Sequence, residues 1–217
     1  MNIYLIRHGR QNSKLCNVDV ELSQEGREQA ELVGKRLAGY QIEAVYSSNL
    51  LRAVETADII NEYVKKPRFY DDRLRGAEFG AMTGLSNDVL KERFGEFLQK
   101  RSTMEEDLPY PGGGENSADV YKRAKEALDD IVKEGYENVC IVTHGGLIRA
   151  LLTGLTGAPS QRWLTFGRQL ENCSITELLY DEQMGTFHIE RLNDYAHFEN
   201  EDRLLRKHFG NGFFSAK

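Results

Sequence analysis

Two histidines of the chain share an unusual local pattern, since each follows a short apolar run and precedes a glycine. His8-Gly9 follows residues 2–7 (NIYLIR), and His144-Gly145 follows residues 139–143 (VCIVT). Both runs are rich in β-branched residues and are typical of buried strands. Because the carboxyl ends of parallel strands lie at one edge of a sheet, we expect the two imidazoles to meet there. Two histidines in this pattern are candidates for catalytic residues.

Arginines and helix starts are predicted at the same edge. Arg7 precedes the first histidine, and Arg52 follows the end of a further predicted strand at residues 42–47 by about one helical turn. Helices that begin near Asn49 and just after Gly145 would direct free backbone amides at the same place. The planar guanidinium fork of arginine matches phosphate oxygens. Together these residue types predict a pocket for a phosphate group.

The elements that must position these residues alternate between strand and helix. The alternation predicts an α/β fold, in which a mostly parallel sheet carries helices on both faces. Residues 71–86 carry three glycines and two arginines and are either a functional loop or a flexible connection. No linker or repeat divides the chain, so we expect one domain over residues 1–217, with the tail after about residue 195 unassigned. Helices are predicted from the N-cap Ser23 over about 16 residues and at 49–64, 87–101, 117–134 and 147–155, and a late strand hairpin at 174–180 and 186–191.

Composition restricts the class of protein. The chain has 217 residues, 40% hydrophobic and 29% charged, with a net charge of −6. This acidic balance argues against nucleic-acid and anionic-membrane partners. The three cysteines, Cys16, Cys140 and Cys173, form no CxxC pair, and the N-terminus has no basic segment of a secretory signal. We therefore expect a cytoplasmic protein with no disulfide framework.

Several sequence blocks, in order, resemble a known family. LIRHG at residues 5–9 is similar to the opening RHG motif of the histidine phosphatase superfamily, also called the phosphoglycerate mutase-like proteins. The resemblance covers nearly the whole chain to about residue 195. It implies the phosphoglycerate mutase-like fold, a three-layer α/β/α sandwich. The further blocks are LSQEGREQA (22–30), VYSSNLLRAVETA (45–57), GGGENSADVYKR (112–123), VTHGGLIRALL (142–152) and ENCSITEL (171–178).

The resemblance implies a covalent mechanism for the phosphate pocket. His8 would attack phosphorus and form a phosphohistidine, while Arg7, Arg52 and His144 neutralise the charge on the phosphoryl oxygens. The backbone amide of Gly145 would be a further phosphate donor. A carboxylic acid would protonate the leaving oxygen and then activate water. No metal and no other cofactor is implied, because the arginines and the second histidine supply the positive charge.

The chain departs from the family pattern at two places. The first motif commonly continues as RHGxTxxN, whereas here Gln11 replaces the hydroxyl residue and Lys14 the asparagine. We predict that Asn17, three residues later, takes the asparagine's place in phosphate binding. In the acid motif, roughly LRExxxG, Gly76 stands where the glutamate is usual, and Glu78 lies two residues on.

Glu78 is our candidate for the missing acid. It lies between Ala77 and Phe79, in an apolar and glycine-containing segment, so we expect its carboxyl group to be partly desolvated and its pKa raised. The competing carboxylates Asp71 and Asp72 precede arginines and are explained by ion pairs. The alternative for Glu78 is a structural pair with Arg75, in which case the site lacks a carboxylic acid.

Three functions are compatible with these residues. The leading one is a metal-independent phosphomonoesterase that acts on a small phosphorylated metabolite. The second is a phosphoglycerate mutase, and the third is a weakly catalytic, phosphate-binding regulatory module. The family resemblance also suggests a homodimer. Cations in the variable loops would allow a second anionic group on the substrate: Lys14, Arg73, Arg75, Arg93, Lys100, Arg101 and Arg162. Trp163 could line the substrate mouth or hold a loop, and we favour the loop.

Overall fold

The computed structural model describes residues 1–206, and six strands of this part form one sheet. The strand order is β3-β2-β4-β1-β5-β6. The first four strands along the chain are mutually parallel, and β5 and β6 are antiparallel additions at one edge. The strands are β1 (Asn2–Arg7), β2 (Ala44–Ser47), β3 (Arg68–Tyr70), β4 (Asn138–Thr143), β5 (Ile175–Asp181) and β6 (Thr186–Asp194).

Five α-helices accompany these strands in residues 1–206. They are α1 (Gln24–Leu37), α2 (Leu51–Val64), α3 (Asn87–Ser102), α4 (Ser117–Lys133) and α5 (Gly145–Leu155). Ser23 caps α1 as expected, since its hydroxyl accepts a hydrogen bond from the Gly26 amide at 3.2 Å. No helix of the described part is long and apolar enough to cross a bilayer.

Helices cover both faces of the sheet because side chains of each buried strand alternate between the faces. In β1, Ile6 packs with apolar side chains of α1 and α2 such as Val33 and Ile60. Its neighbour Leu5 lies on the other face, in the cluster that contains Leu128 of α4 and Leu151 of α5. The predicted α/β architecture with helices on both faces of a mostly parallel sheet is confirmed.

The element boundaries differ from the prediction at two informative places. Strand β3 was not predicted, because it has only three residues, of which none is buried. It exists through backbone pairing with β2. The last long helix, α5, begins at Gly145 rather than Leu147, directly after β4 and with His144 as its N-cap residue. The second difference puts both glycines of the HGG motif inside the first helical turn.

Candidate active site

His8 lies at the carboxyl end of β1 and is buried, with 7% of its surface exposed. Its Nδ1 lies 2.7 Å from the carbonyl oxygen of Gly9. Because a carbonyl oxygen can only accept, this contact places the imidazole hydrogen on Nδ1 and leaves the lone pair on Nε2. The structure therefore presents Nε2 as the nucleophilic nitrogen.

The loop after β1 is fixed by its backbone. The amide of His8 donates to Thr143 O at 2.8 Å, and the Asn172 side chain donates to His8 O at 2.8 Å. The Gly9 amide donates to the Thr56 hydroxyl at 2.9 Å. A Cβ on Gly9 would lie 2.6 Å from the carbonyl oxygen of Gly26, so only glycine allows the loop to approach α1 this closely.

His144 lies beside His8, as the sequence predicted. The two ring centroids are 4.9 Å apart, and His144 is only 4% exposed. Its Nε2 is 2.8 Å from the hydroxyl of Ser48, which follows strand β2. Its Nδ1 is buried and has no hydrogen-bond partner in residues 1–206. A buried polar atom of this kind requires a ligand or water for its hydrogen bond.

Arg7 and Arg52 are held by carbonyl and amide oxygens rather than by carboxylates. Arg52 donates to Val18 O at 2.9 Å and to the Asn17 side-chain oxygen at 3.2 Å. Arg7 donates to Leu170 O. Neither forms an ion pair within the described chain, and the Nε atoms of both are buried without a partner there. The buried Arg52 and the half-buried Arg7, which lack counter-ions within residues 1–206, form a site that an anion would complete.

The pKa values of His8, His144 and Arg52 are all lower than the ordinary values of these groups. Burial, followed by the charges of Arg52 and the neighbouring imidazole, holds the pKa of His8 well below its ordinary value. Burial and the same arginine lower the pKa of His144 in the same way. Burial lowers the pKa of Arg52 to about 10. Both histidines are therefore neutral near pH 7 in the absence of a ligand.

Asn17 and Gly145 were both predicted to bind phosphate. Asn17 lines the cavity, yet its side-chain amide lies between Arg52, from which it accepts, and Ala77 O, to which it donates at 3.2 Å. Asn17 thus positions Arg52. Gly145 begins α5 beside Arg7, whose Nε would lie 3.4 Å from a Cβ at this position. Its role as a phosphate donor remains a prediction.

These groups line a cavity of about 790 Å³, which is larger than a phosphate group requires. Of the loop cations proposed for a second anionic group, only Lys14 and Arg101 are among its described lining residues. Trp163 also lines the cavity, whereas we had favoured a role in holding a loop. Its ring lies 5.0 Å from the guanidinium carbon of Arg101 and 5.6 Å from that of Arg149.

Arg149 also lines the cavity and was not predicted from the sequence. It lies on α5, four residues after Gly145, and therefore on the same helix face, which the sequence could have shown. Its guanidinium donates to the carbonyl oxygens of Gly167 at 2.6 Å and Arg168 at 3.0 Å. Asn172, which supports the His8 loop, was also not selected, and its spacing gave no signal for that contact.

The expected desolvation of Glu78 is wrong. Its side chain is exposed, and Glu78 is not among the residues that line the cavity, although Gly76, Ala77 and Phe79 are. The alternative, a pair between Glu78 and Arg75, is not seen within residues 1–206 either, and the Arg75 guanidinium donates to the Asn49 side chain. The structure therefore does not bring Glu78 together with the two histidines.

The segment around Glu78 is fixed rather than flexible. The Glu78 amide donates to the Glu115 carboxylate at 2.9 Å, and its carbonyl accepts from the Glu115 amide at 2.9 Å. Arg123 donates to Gly76 O at 2.8 Å. Gly80 has a φ of +52°, and a Cβ there would lie 2.3 Å from Pro111 O. Gly80 serves close packing here, and these contacts hold the segment in place with Glu78 outside the cavity lining.

Carboxylates are nearly absent from the cavity. Among its lining residues in the described chain, only Glu25 carries one. Glu25 accepts from the Ser23 hydroxyl at 2.8 Å and lies 3.6 Å from an Arg10 nitrogen. Hydrogen bonds from its own amide and from Ser23 lower its pKa. Within residues 1–206, no group of three or more His, Cys, Asp or Glu side chains is arranged to hold a metal ion.

Comparison with known proteins agrees with this geometry. Residues 3–195 match the family model of the histidine phosphatase superfamily, branch 1. The chain is 36% identical over 217 residues to phosphoglycerate mutase-like protein 4 of Arabidopsis thaliana, covering 96% of this chain and 91% of the relative. It is 29% identical to the metal-independent phosphoserine phosphatase of the same plant, covering 94% and 86%.

Solved structures give the same result. YhfR of Bacillus stearothermophilus superposes with a TM-score of 0.82 at 29% identity, covering 91% of this chain and 99% of that one. A mycobacterial glucosyl-3-phosphoglycerate phosphatase in complex with VO3 gives a TM-score of 0.78 at 28% identity, covering 89% and 99%. The chain therefore belongs to branch 1 of the histidine phosphatase superfamily.

Proposed function

We propose that the protein is a metal-independent phosphatase that hydrolyses a small phosphorylated metabolite through a phosphohistidine at His8. The observation that carries the proposal is a nucleophilic His8 Nε2 beside two arginines, Arg7 and Arg52, whose Nε atoms are buried and which have no carboxylate partner in the described chain. The relatives named above include phosphatases of phosphoserine and of glucosyl-3-phosphoglycerate, which supports a small substrate.

The first step follows from the tautomer of His8. The Nε2 lone pair attacks phosphorus, and the bond from phosphorus to the leaving oxygen of the substrate breaks with its electron pair on that oxygen. Gly9 O holds the Nδ1 hydrogen, so the positive charge that the ring gains on phosphorylation meets a carbonyl oxygen. Arg7 and Arg52 neutralise the phosphoryl oxygens, with Arg52 held in place by Asn17. The Nδ1 atom of His144, which has no hydrogen-bond partner in residues 1–206, is available to bond a phosphoryl oxygen. In the second step, water attacks the phosphohistidine and releases phosphate.

The test is phosphate release from p-nitrophenyl phosphate together with detection of phosphohistidine. We expect turnover in the presence of a chelator and its loss in His8→Asn, which retains a polar side chain but no nucleophilic nitrogen. His188→Asn is the matched control, because that histidine lies on β6, outside the cavity lining. Activity that survives His8→Asn, or that a chelator removes, would contradict the proposal.

Two alternatives are separated by other substrates. A phosphoglycerate mutase returns the phosphoryl group to the substrate, so 3-phosphoglycerate would be isomerised faster than it is hydrolysed. One relative carries the mutase-like name, which is why this comparison is needed. A regulatory module would phosphorylate His8 once and turn over poorly. The ratio of isomer formed to phosphate released distinguishes these cases.

We also propose one domain over residues 1–217, supported by the single sheet of the described part. A cytoplasmic location is supported by the three cysteines, which are free and buried. The homodimer suggested by the family remains a prediction. Residues 207–217, including His208 and Phe213-Phe214, lie outside the described part of the chain.

A further inference from the structure

Among residues 1–206, the cavity lining offers no evident proton donor for a leaving group. Hydrolysis of an alkyl phosphate releases an alkoxide, which must be protonated as the phosphorus–oxygen bond breaks. Glu25, the one carboxylate among the described lining residues, is held by Ser23 and Arg10 at the N-terminus of α1. Glu78 is exposed outside the cavity. The sequence after residue 206 contains no Asp or Glu.

The remaining titratable groups of the cavity are poorly suited to this task. Of the two ring nitrogens of His144, Nε2 is occupied by Ser48, and Nδ1 is assigned above to the phosphoryl oxygens, so neither is placed for the leaving oxygen. Burial raises the pKa of the Cys16 thiol to about 11. Burial also raises the pKa of Tyr110, whose ring stacks on the Arg101 guanidinium at 4.3 Å. The arginines and Lys14 supply charge rather than a readily released proton.

Residue 76 lies beside His144 but is a glycine, so it carries no carboxylate. Its backbone touches the second histidine so closely that a Cβ would lie 3.2 Å from His144 Cγ and 3.6 Å from His144 Nδ1. Arg123 fixes its carbonyl oxygen, and the side chain of Thr143 fixes that of Leu74 at 2.7 Å. The position next to His144 is therefore occupied by a rigid backbone without a side chain.

We infer that the preferred substrates are acyl phosphates, whose leaving group departs as a carboxylate and needs no proton. This inference rests on the proposed function, because it assigns a substrate class to the same phosphohistidine chemistry. The cavity has room beyond the phosphoryl group for the acyl part. Its described lining includes Arg101, whose Nε is buried without a hydrogen-bond partner in residues 1–206 and is available to a second anionic group of the substrate.

The steps balance without an acid or base from the protein. The lone pair of neutral His8 forms the nitrogen–phosphorus bond, and the phosphorus–oxygen bond breaks with its electron pair on the departing carboxylate. The Nδ1 hydrogen remains on the ring, bonded to Gly9 O. Water then attacks phosphorus, the nitrogen–phosphorus bond returns its pair to Nε2, and both protons of water leave on dihydrogen phosphate.

The experiment compares acetyl phosphate with ethyl phosphate, which have similar size and differ in the acidity of the leaving group. General acid catalysis contributes about 10²- to 10⁴-fold, so we expect kcat/KM for acetyl phosphate to exceed that for ethyl phosphate by about 10³-fold or more. Substituted phenyl phosphates should show a steep dependence of rate on leaving-group pKa. A difference below about tenfold between the acetyl and ethyl compounds, with both activities lost in His8→Asn, would overturn the inference and leave the proposed function intact.

Acetyl phosphate could react faster because the site lacks an acid or because the compound is intrinsically more reactive. Two substitutions of Gly76 distinguish these explanations. Gly76→Glu places a carboxyl group beside His144 and should raise ethyl phosphate hydrolysis at least about tenfold relative to acetyl phosphate. Gly76→Ala adds the same Cβ contact without the acid and should leave the ratio of the two rates unchanged. An equal change in the ratio of the ethyl phosphate rate to the acetyl phosphate rate in both variants would contradict the inference. If Gly76→Glu does not fold, the slope of the phenyl series in the wild-type protein decides. No phosphohistidine and no turnover with any of these compounds would refute the proposed function as well.

Discussion

Arginines occupy two adjacent regions of this protein and have opposite surroundings. In the cavity, Arg7 and Arg52 are held by carbonyl and amide oxygens and have no ion-pair partner in the described chain. The second region, which we call the segment cluster, contains Arg73, Arg123 and their carboxylate partners. Arg123 forms an ion pair with Glu115 at 2.7 Å, and Arg73 forms one with Asp71 at 2.7 Å. Arg7 and Arg52 therefore lack counter-ions within residues 1–206, whereas Arg73 and Arg123 are neutralised within the fold.

The difference appears in the pKa values. Burial, followed by neighbouring arginines, lowers the pKa of Arg7, whereas hydrogen bonds to Asp71 and Asp130 raise that of Arg73. Burial alone would raise the pKa of Glu115, but its hydrogen bonds with Arg123 hold it below the ordinary value. The segment cluster therefore stabilises the folded chain without a ligand, whereas Arg7 and Arg52 in the cavity require an anionic ligand to neutralise their charge.

The largest effect is expected from removing a cavity cation. Arg52→Met should lower kcat/KM by about 10³-fold or more, because the guanidinium neutralises charge in the transition state. Its melting temperature should change little, and the stabilisation of the wild-type protein by inorganic phosphate should be lost. Steady-state kinetics and thermal melts with and without phosphate test this. Arg68→Met is the control, since Arg68 pairs with Asp58 outside the cavity lining. An equal loss of kcat/KM in Arg52→Met and Arg68→Met would contradict the distinction between the two groups of arginines.

A smaller effect, on stability, is expected from the segment cluster. Arg123→Met leaves Glu115 without its partner and frees the carbonyl oxygens of Arg73, Arg75 and Gly76. The free energy of unfolding should fall by about 3 kcal/mol, as for other broken half-buried pairs. Urea denaturation measures it, with the more exposed Arg27–Glu55 pair as reference, where Arg27→Met should cost under about 1 kcal/mol. Unchanged stability in Arg123→Met would contradict our account.

The smallest effect concerns pH. The pKa values of His8 and His144 lie below the value of 6.5 that the unfolded chain has. As pH falls through 6.5, the unfolded chain takes up protons that the folded chain does not, so the free energy of unfolding should decrease. Bound phosphate should reduce this loss, because an anion raises both pKa values. Urea denaturation on either side of pH 6.5, with and without phosphate, gives the sign. An imidazolium signal from His8 in NMR spectra at pH 6.5 without phosphate would contradict it.

The sequence supported most of the fold because the buried strands and amphipathic helices carry their own periodicity. Strands β1 and β4 and the capped start of α1 followed directly from residues 2–7, 139–143 and Ser23. The three-residue strand β3 could not be predicted, because its pairing with β2 stabilises it rather than its own residues. The pair of His8 and His144 was predictable, since parallel strands end at one edge of the sheet.

The position of Glu78 could not be predicted in the same way. Its apolar neighbours indicated burial, but Ala77 and Phe79 line the cavity while Glu78 points to solvent. Which side of an irregular segment faces the cavity depends on the hydrogen bonds that fix it, and here Glu115 and Arg123 determine that choice from α4 and the loop before it. Those contacts join residues about 40 positions apart, so no local pattern encodes them.

The sequence by itself determined the chemistry that the cavity contains: two histidines, two arginines and a glycine at residue 76. These are properties of residue type and of strand and helix periodicity, which are local. Only the tertiary structure decided the surroundings of each group: the Nδ1 hydrogen of His8 bonded to Gly9 O, arginines without carboxylates, and an acid outside the cavity. Burial and charge pairing depend on segments distant in the chain, and they set the protonation states on which catalysis depends.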